Sequence, residues 1–339
     1  MAGSLTRVTG SAAHTRRPPG ARAAVDRFCS FVPTERVSMR LCSFLSEGLP
    51  HVGVVDVDDS VIDVTRLAEL RSDDLPRTMA GWVELGIDGI DMLGQICAQD
   101  GADHVAGDVG ALTLVAPMGR LPRNVICVGV NYREHIEESE RAVGEIDVPD
   151  APVYFTKDVR SICGPFDAIA SDDQVSTQLD WEVELAVIIG RRGRNISPAN
   201  ALEHVFGYAV LNDVSARDVQ LSRNQWWKGK SIEGSSPFGP FIVTRDEIPD
   251  PQDLELRCCV DGVEKQRSRT NLMIHDVATL ISDLSGTLTL EPGDVISTGT
   301  PAGVGLARAP QEWLRPGSVL QSEITGLGRQ HNRVIDIGA

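Results

Sequence analysis

The sequence predicts a mainly β fold of the α+β class, a large β-rich domain preceded by a small α+β one. Three observations predict it. Short strand patterns recur along the chain, one clear amphipathic helical stripe occurs, and no β-α unit repeats, which argues against a doubly wound parallel sheet. At 339 residues with 42% hydrophobic side chains, the chain is long enough for one large core or two domains.

Ordered patterning begins at Met39. Residues 1–38 are rich in Arg, Ala and Pro, poor in acid, and lack the apolar stretch of a secretory signal. They read as a disordered extension, or as a translation start placed too early with Met39 the true one; the composition also fits an organelle transit peptide. Residues 39–118 are expected to form the small N-terminal domain. Within it 51–64 alternates around Asp58-Asp59-Ser60 and reads as a β-hairpin. Residues 65–100 are helical but only moderately amphipathic, and 112–116 form a strand ahead of Pro117 and Pro122.

Residues 119–339 are expected to form the main domain. Its first strand, 124–131, runs straight into the polar stretch Y-R-E-H-I-E-E-S at 132–139. A second, 152–157, ends in Lys157, and 205–214 is an apolar strand that closes on Asp213. Glycine and proline punctuate 215–240, which reads as loop and turn. Residues 254–267 form a hairpin across Asp261-Gly262, the strongest short hairpin signal present. Val277, Leu280, Ile281 and Leu284 mark the amphipathic helix, and 293–297, 317–324 and 330–337 return to strands.

The chemistry starts at 178–190, Q-L-D-W-E-V-E-L-A-V-I-I-G. On a strand, Val183, Leu185, Val187 and Ile189 share one face while Glu182, Glu184 and Ala186 share the other. Two carboxylates on one face in the most apolar run of the chain repel each other and lose hydration, which calls for a cation between them. A half-solvated edge strand with an acidic outer face has the same local pattern. Asp213, where an apolar strand meets a loop, is the natural third oxygen ligand. Three carboxylates suit a hard cation, Mg²⁺, Mn²⁺ or Ca²⁺, and no interleaved His or Cys favours Zn²⁺.

His135 and Glu138 stand three apart, so a helical turn over 132–140 places them on one face, where the acid can orient the imidazole as a general base. The run S-T-G-T-P-A-G-V-G at 297–305 is neither a dinucleotide fingerprint nor a Walker loop. Its glycines are expected to bring backbone amides up to an anionic substrate group.

Composition narrows the partners. The net charge is -16, and because residues 1–40 carry seven Arg against Asp26 and Glu35, the rest balances 25 basic against 46 acidic side chains. Such a body repels nucleic acid and anionic membrane, and no apolar run approaches a membrane span. Within this acidic chain Arg133, Lys157, Arg217 and Lys230 lie close to the motifs, which favours a small anionic substrate. Seven Cys without a C-x-x-C pair suggest a reducing, cytoplasmic location.

In order, N-Y-R-E-H-I-E-E, D-W-E-V-E-L-A-V-I-I-G, L-N-D-V-S-A-R-D-V-Q, K-G-K-S and S-T-G-T-P-A-G-V-G make the chain resemble the fumarylacetoacetate hydrolase family over about residues 124–337. The resemblance implies a mixed β-roll catalytic domain, a homodimer, and Mg²⁺ or Mn²⁺ held by Glu182, Glu184 and Asp213. It also implies that His135 and Glu138 activate water on a lid. Arg217, Gln220 and Lys230 become substrate contacts, and Thr300 of the S-T-G-T-P run joins that set. The strand over 125–130 lacks the further acid of the fumarylacetoacetate hydrolases proper, so the site resembles the three-carboxylate branch. The expected activity is hydrolysis of a C–C bond in an acylpyruvate-like or diketo-deoxy acid through an enolate. In this scheme Lys230 stabilises the oxyanion, and Arg217 and Lys157 neutralise substrate carboxylate. The alternatives are oxaloacetate decarboxylation, isomerisation of a heptadienedioate-type acid, and a non-catalytic small-acid binding protein with a structural metal.

Overall fold

The strand Val183–Ile189 sits at the centre of the molecule and is buried along its whole length. It pairs antiparallel with Val205–Asn212 on one side and with Val295–Ser297 on the other, so the edge-strand alternative is excluded. The computed structural model describes residues 39–71, 74–144 and 150–338, and the expectations for residues 1–38 lie outside them. Among the described residues this strand belongs to an eleven-stranded mixed sheet. Val125–Gly129 joins it in parallel beside Val295–Ser297, and Val153–Lys157 closes that edge.

The N-terminal strands extend the same sheet. Arg40–Ser46 pairs with Ile242–Thr244, and Leu49–Val55 and Ser60–Asp63 form the expected hairpin beside it. A second sheet runs in the order Val263–Arg269, Glu255–Val260, Val319–Ile324, Gly328–Asp336 and Ile169–Ser171. Its Asp261-Gly262 turn has positive φ at both residues, 52° and 77°, as a two-residue hairpin whose twist matches its strands requires.

Period 2 divides the central strand between two cores. Val183, Leu185, Val187 and Ile189 pack with Leu256, Cys258 and Leu320 of the second sheet and with Val277, Leu280, Ile281 and Leu284 of the helix Val277–Thr287. Ala186 and Ile188 face the other way, into a core with Trp82, Leu93 and Ile242. The helices Val64–Arg71 and Met79–Asp100 pack their buried faces into that second core, the latter kinked at Gly86. The large sheet is therefore covered on one face by helices and on the other by a sheet and a helix. The stretch expected as loop and turn carries two short helices, Arg217–Leu221 and Trp227–Lys230. Among the described residues no helix is long and apolar enough to cross a membrane.

Candidate functional site

Glu182, Glu184 and Asp213 converge. They are buried, and each offers a carboxylate oxygen within 4.8 Å of the others. Strand pairing sets this up: Val183 lies opposite Asn212, so the residues flanking that pair meet at the same end of the sheet, where Asp213 N donates to Glu182 O. Lys230 Nζ bridges Glu182 Oε2 at 2.6 Å and Asp213 Oδ2 at 2.9 Å. Lys157 Nζ, fully buried, donates to Val214 O and lies 2.7 Å from Asp213 Oδ1. Arg217 Nη2 stands 2.5 Å from Glu182 Oε1, while its Nη1 donates to Gln220 Oε1. The chain thus supplies part of the positive charge that the acids call for.

The three acids are not equivalent. Burial raises the proton affinity of Glu182, but Arg217, Lys230 and His135 outweigh it and hold the carboxyl down at about 2. Glu184 is less compensated, with Lys230 acting on it more weakly than its own burial and acidic neighbours. Burial, then the charges of Asp213 and Glu182, push it up to about 8, although Ser297 Oγ at 2.5 Å and Gly299 N at 2.9 Å donate to its Oε2. Lys230 is held above its ordinary range by Asp213 and Glu182 against the opposing effect of burial.

A hard divalent cation fits this site, because the donor set is all carboxylate oxygen, from three buried acids whose oxygens lie within 4.8 Å of one another. The charge pattern sets a pH dependence. Because folding raises the Glu184 pKa from its ordinary 4.5 to about 8, the metal-free fold binds a proton that the unfolded chain has released. That contribution is fully present below about pH 4.5 and is lost as pH rises through about 8. A cation replaces the proton, so Mg²⁺ is expected to raise Tm more at about pH 8.5 than at about pH 6. Equal shifts by differential scanning calorimetry at the two pH values would remove Glu184 as a ligand.

The helix Arg133–Val143 carries the dyad. Its turn spacing brings His135 Nδ1 to 3.0 Å from Glu138 Oε1, with both side chains buried. A carboxylate only accepts, so Nδ1 carries the proton and Nε2 is left as the base. The entry to this helix is strained: Val130 has φ 49°, rare for a β-branched residue. Asn131 pins it by donating to Thr298 O and His275 O and accepting from His275 N.

The run 297–305 departs from expectation. Its amides are aimed at protein acids: Gly303 N donates to Glu138 Oε2 at 2.8 Å, Gly299 N to Glu184, and Gly305 N to Asp180 Oδ1 at 2.6 Å. Buried carboxylates claim these donors because they would otherwise lack partners. Gly303 has φ 108°, and a Cβ there would stand 2.1 Å from Lys265 O, so another side chain is excluded. Thr300 Oγ1 donates to Val183 O and accepts from Gln266. Arg133 is exposed at the first position of its helix. Trp226 packs edge-on to Phe155, over which Lys230 Nζ stands at 5.0 Å, so an aromatic edge adjoins the cluster. Sequence reasoning missed Asp180, Asn131 and Ser297; each lies inside a quoted motif, but its partner is remote in sequence.

The family model described as fumarylacetoacetate (FAA) hydrolase C-terminal matches residues 124–335. The chain belongs to the fumarylacetoacetate hydrolase family. Its match spans both the dyad and the three carboxylates, making it an enzyme of that family with a centre suited to a divalent metal. The oxaloacetate tautomerase FAHD2A, mitochondrial, of Bos taurus is 39% identical over 303 residues, covering 88% of this chain and 92% of that protein. A solved fumarylacetoacetate hydrolase from psychrophilic Exiguobacterium antarcticum shares 39% identity with a TM-score of 0.74, over 88% of this chain and 100% of that one. A 2-hydroxyhepta-2,4-diene-1,7-dioate isomerase from Mycobacterium marinum shares 31% with a TM-score of 0.67, over 89% and 100%.

Proposed function

We propose that this enzyme interconverts the keto and enol forms of a small 2-oxo acid of the oxaloacetate type. The observation that carries the reading is an oriented imidazole, held by Glu138 and near enough to the buried three-carboxylate centre to lower the proton affinity of Glu182. The bovine relative named as a tautomerase and the mycobacterial isomerase support it, since neither name implies bond cleavage.

A divalent cation on Glu182, Glu184 and Asp213, Mg²⁺ or Mn²⁺, would supply Lewis-acid polarisation of the 2-oxo group. His135 Nε2 takes the C3 proton, the electron pair forms the C2=C3 bond, and the C2 oxygen takes up a proton; the reverse sequence returns the keto acid. Lys230 stabilises the developing oxyanion, an effect on the order of 3 kcal/mol for one well-placed donor. Lys157 and Arg217 hold the acids in place, with Gln220 and Thr300 supporting them. Arg133 on the helix surface attracts the anionic end of the substrate.

A second reading, C–C bond hydrolysis, is favoured by Lys230, a buried ammonium beside the acids that suits an oxyanion formed when water attacks a distal carbonyl. The test is a panel of oxaloacetate, acylpyruvates and diketo sugar acids with Mg²⁺ and Mn²⁺, following enol absorbance and cleavage products separately. Accelerated loss of oxaloacetate enol without cleavage is expected. Cleavage of an acylpyruvate with no effect on the enol would favour hydrolysis, and no turnover of any member would favour a binding protein. The proposal includes a homodimer, which a monomer in light scattering at micromolar concentration would refute. Among the described residues six free, buried cysteines support a reducing compartment such as the cytoplasm.

A further inference from the structure

Asp180 stands two residues before Glu182, yet neither acid-base nor ligand chemistry falls to it. Its carboxylate is fully buried and takes four donors from three parts of the chain. Oδ1 accepts from Trp181 N at 2.8 Å and Gly305 N at 2.6 Å; Oδ2 accepts from Leu306 N at 3.0 Å and Arg217 Nε at 2.8 Å. All four acceptor positions of the carboxylate are filled.

These donors lead to both halves of the site. Arg217 turns the far arm of its fork to Glu182. Gly305 and Leu306 continue directly from Gly303 and Val304, whose amides hold Glu138 at 2.8 and 3.4 Å. Trp181, the next residue in the chain, secures the same loop by donating from Nε1 to Gly303 O at 3.1 Å. A Cβ on Gly305 would lie 2.0 Å from Glu312 O and 2.9 Å from Asp180 Oδ1, so the approach leaves no slack.

We propose that Asp180 is a positioning residue that ties the carboxylate cluster to the His135–Glu138 dyad, so that neither keeps its geometry without the other. It acts through Arg217 on one side and through the 303–306 loop on the other, and touches no reacting atom. The inference rests on reading the dyad as the proton-transfer group.

Asp180→Asn keeps the shape but sets an NH₂ group against two of the four donors and takes from the buried Arg217 one of its two carboxylate partners. Two results are expected. Mn²⁺ affinity by titration calorimetry weakens roughly tenfold to a hundredfold, the range for partners that orient ligands. The loss in kcat is not multiplicative with that of Glu138→Gln: in the Glu138→Gln background, Asp180→Asn costs less than about twofold, because both changes disable one unit. Mn²⁺ affinity within about twofold of wild type, or fully multiplicative losses in kcat, would overturn the proposal. If Asp180→Asn does not fold, Arg217→Lys cuts the same tie from the other side, since an ammonium cannot span Asp180 and Glu182 as the guanidinium fork does. It is held to the same two results. If the wild type turns over no acid, the proposed function fails. Mn²⁺ affinity and the ¹⁵N resonances of the His135 imidazole, expected to shift in Asp180→Asn, then still decide the role of Asp180.

Discussion

Asp213→Ala and Glu184→Gln both abolish cation-dependent activity and weaken Mn²⁺ binding by at least roughly a hundredfold, beyond the range for residues that only orient ligands, yet they move the stability of the metal-free protein differently. Asp213 is the carboxylate against which fully buried Lys157 is placed, and it shares Lys230 with Glu182. Removing it leaves a buried ammonium without its counter-charge, at a cost of about 3–5 kcal/mol. Glu184 is the acid with the least compensation, pushed up to about 8 by burial and by its two neighbours. Gln keeps an acceptor for Ser297 and Gly299 while removing the repulsion, so at about pH 8.5 the metal-free Tm of Glu184→Gln holds or rises. Calorimetry with and without Mn²⁺ reads both effects. Unchanged Mn²⁺ affinity in either variant removes that residue as a ligand, and equal destabilisation by the two contradicts the charge assignment.

His135→Asn is expected to leave Mn²⁺ binding intact and to slow keto–enol interconversion by roughly a hundred- to ten-thousandfold, the range for loss of a positioned general base. The imidazole is near enough to the cluster to lower the proton affinity of Glu182, but the three carboxylates are held by Lys157, Lys230, Arg217 and Ser297 without it. Exchange of the substrate C3 hydrogens with deuterium, followed by NMR in Mg²⁺, separates the two chemistries. If the variant loses exchange along with turnover, His135 is the enolising base. If exchange survives and only C–C cleavage disappears, His135 acts on water, and the hydrolase reading takes the place of the tautomerase one.

Much of the architecture was legible where the determining force is local. Asp261-Gly262 announced its hairpin because few other residue pairs accept positive φ twice in succession. The stripe Val277, Leu280, Ile281 and Leu284 announced its helix because these side chains fall on one face. Likewise the parity of Glu182 and Glu184, the i,i+3 spacing of His135 and Glu138, and Asp213 at a strand end are matters of local pattern, and the structure brings Glu182, Glu184 and Asp213 together.

What only the tertiary structure decided is who meets whom across the chain. No local pattern tells that Arg40–Ser46 pairs with Ile242–Thr244, or that the 297–305 amides turn to Glu138, Glu184 and Asp180 rather than outward. Nor does any pattern tell that Lys157, Lys230 and Arg217 are drawn in among the acids. Backbone period determines which face a side chain takes. The need of every buried charge and donor for a partner determines which distant segment covers that face, and that need is met only when the whole chain has packed.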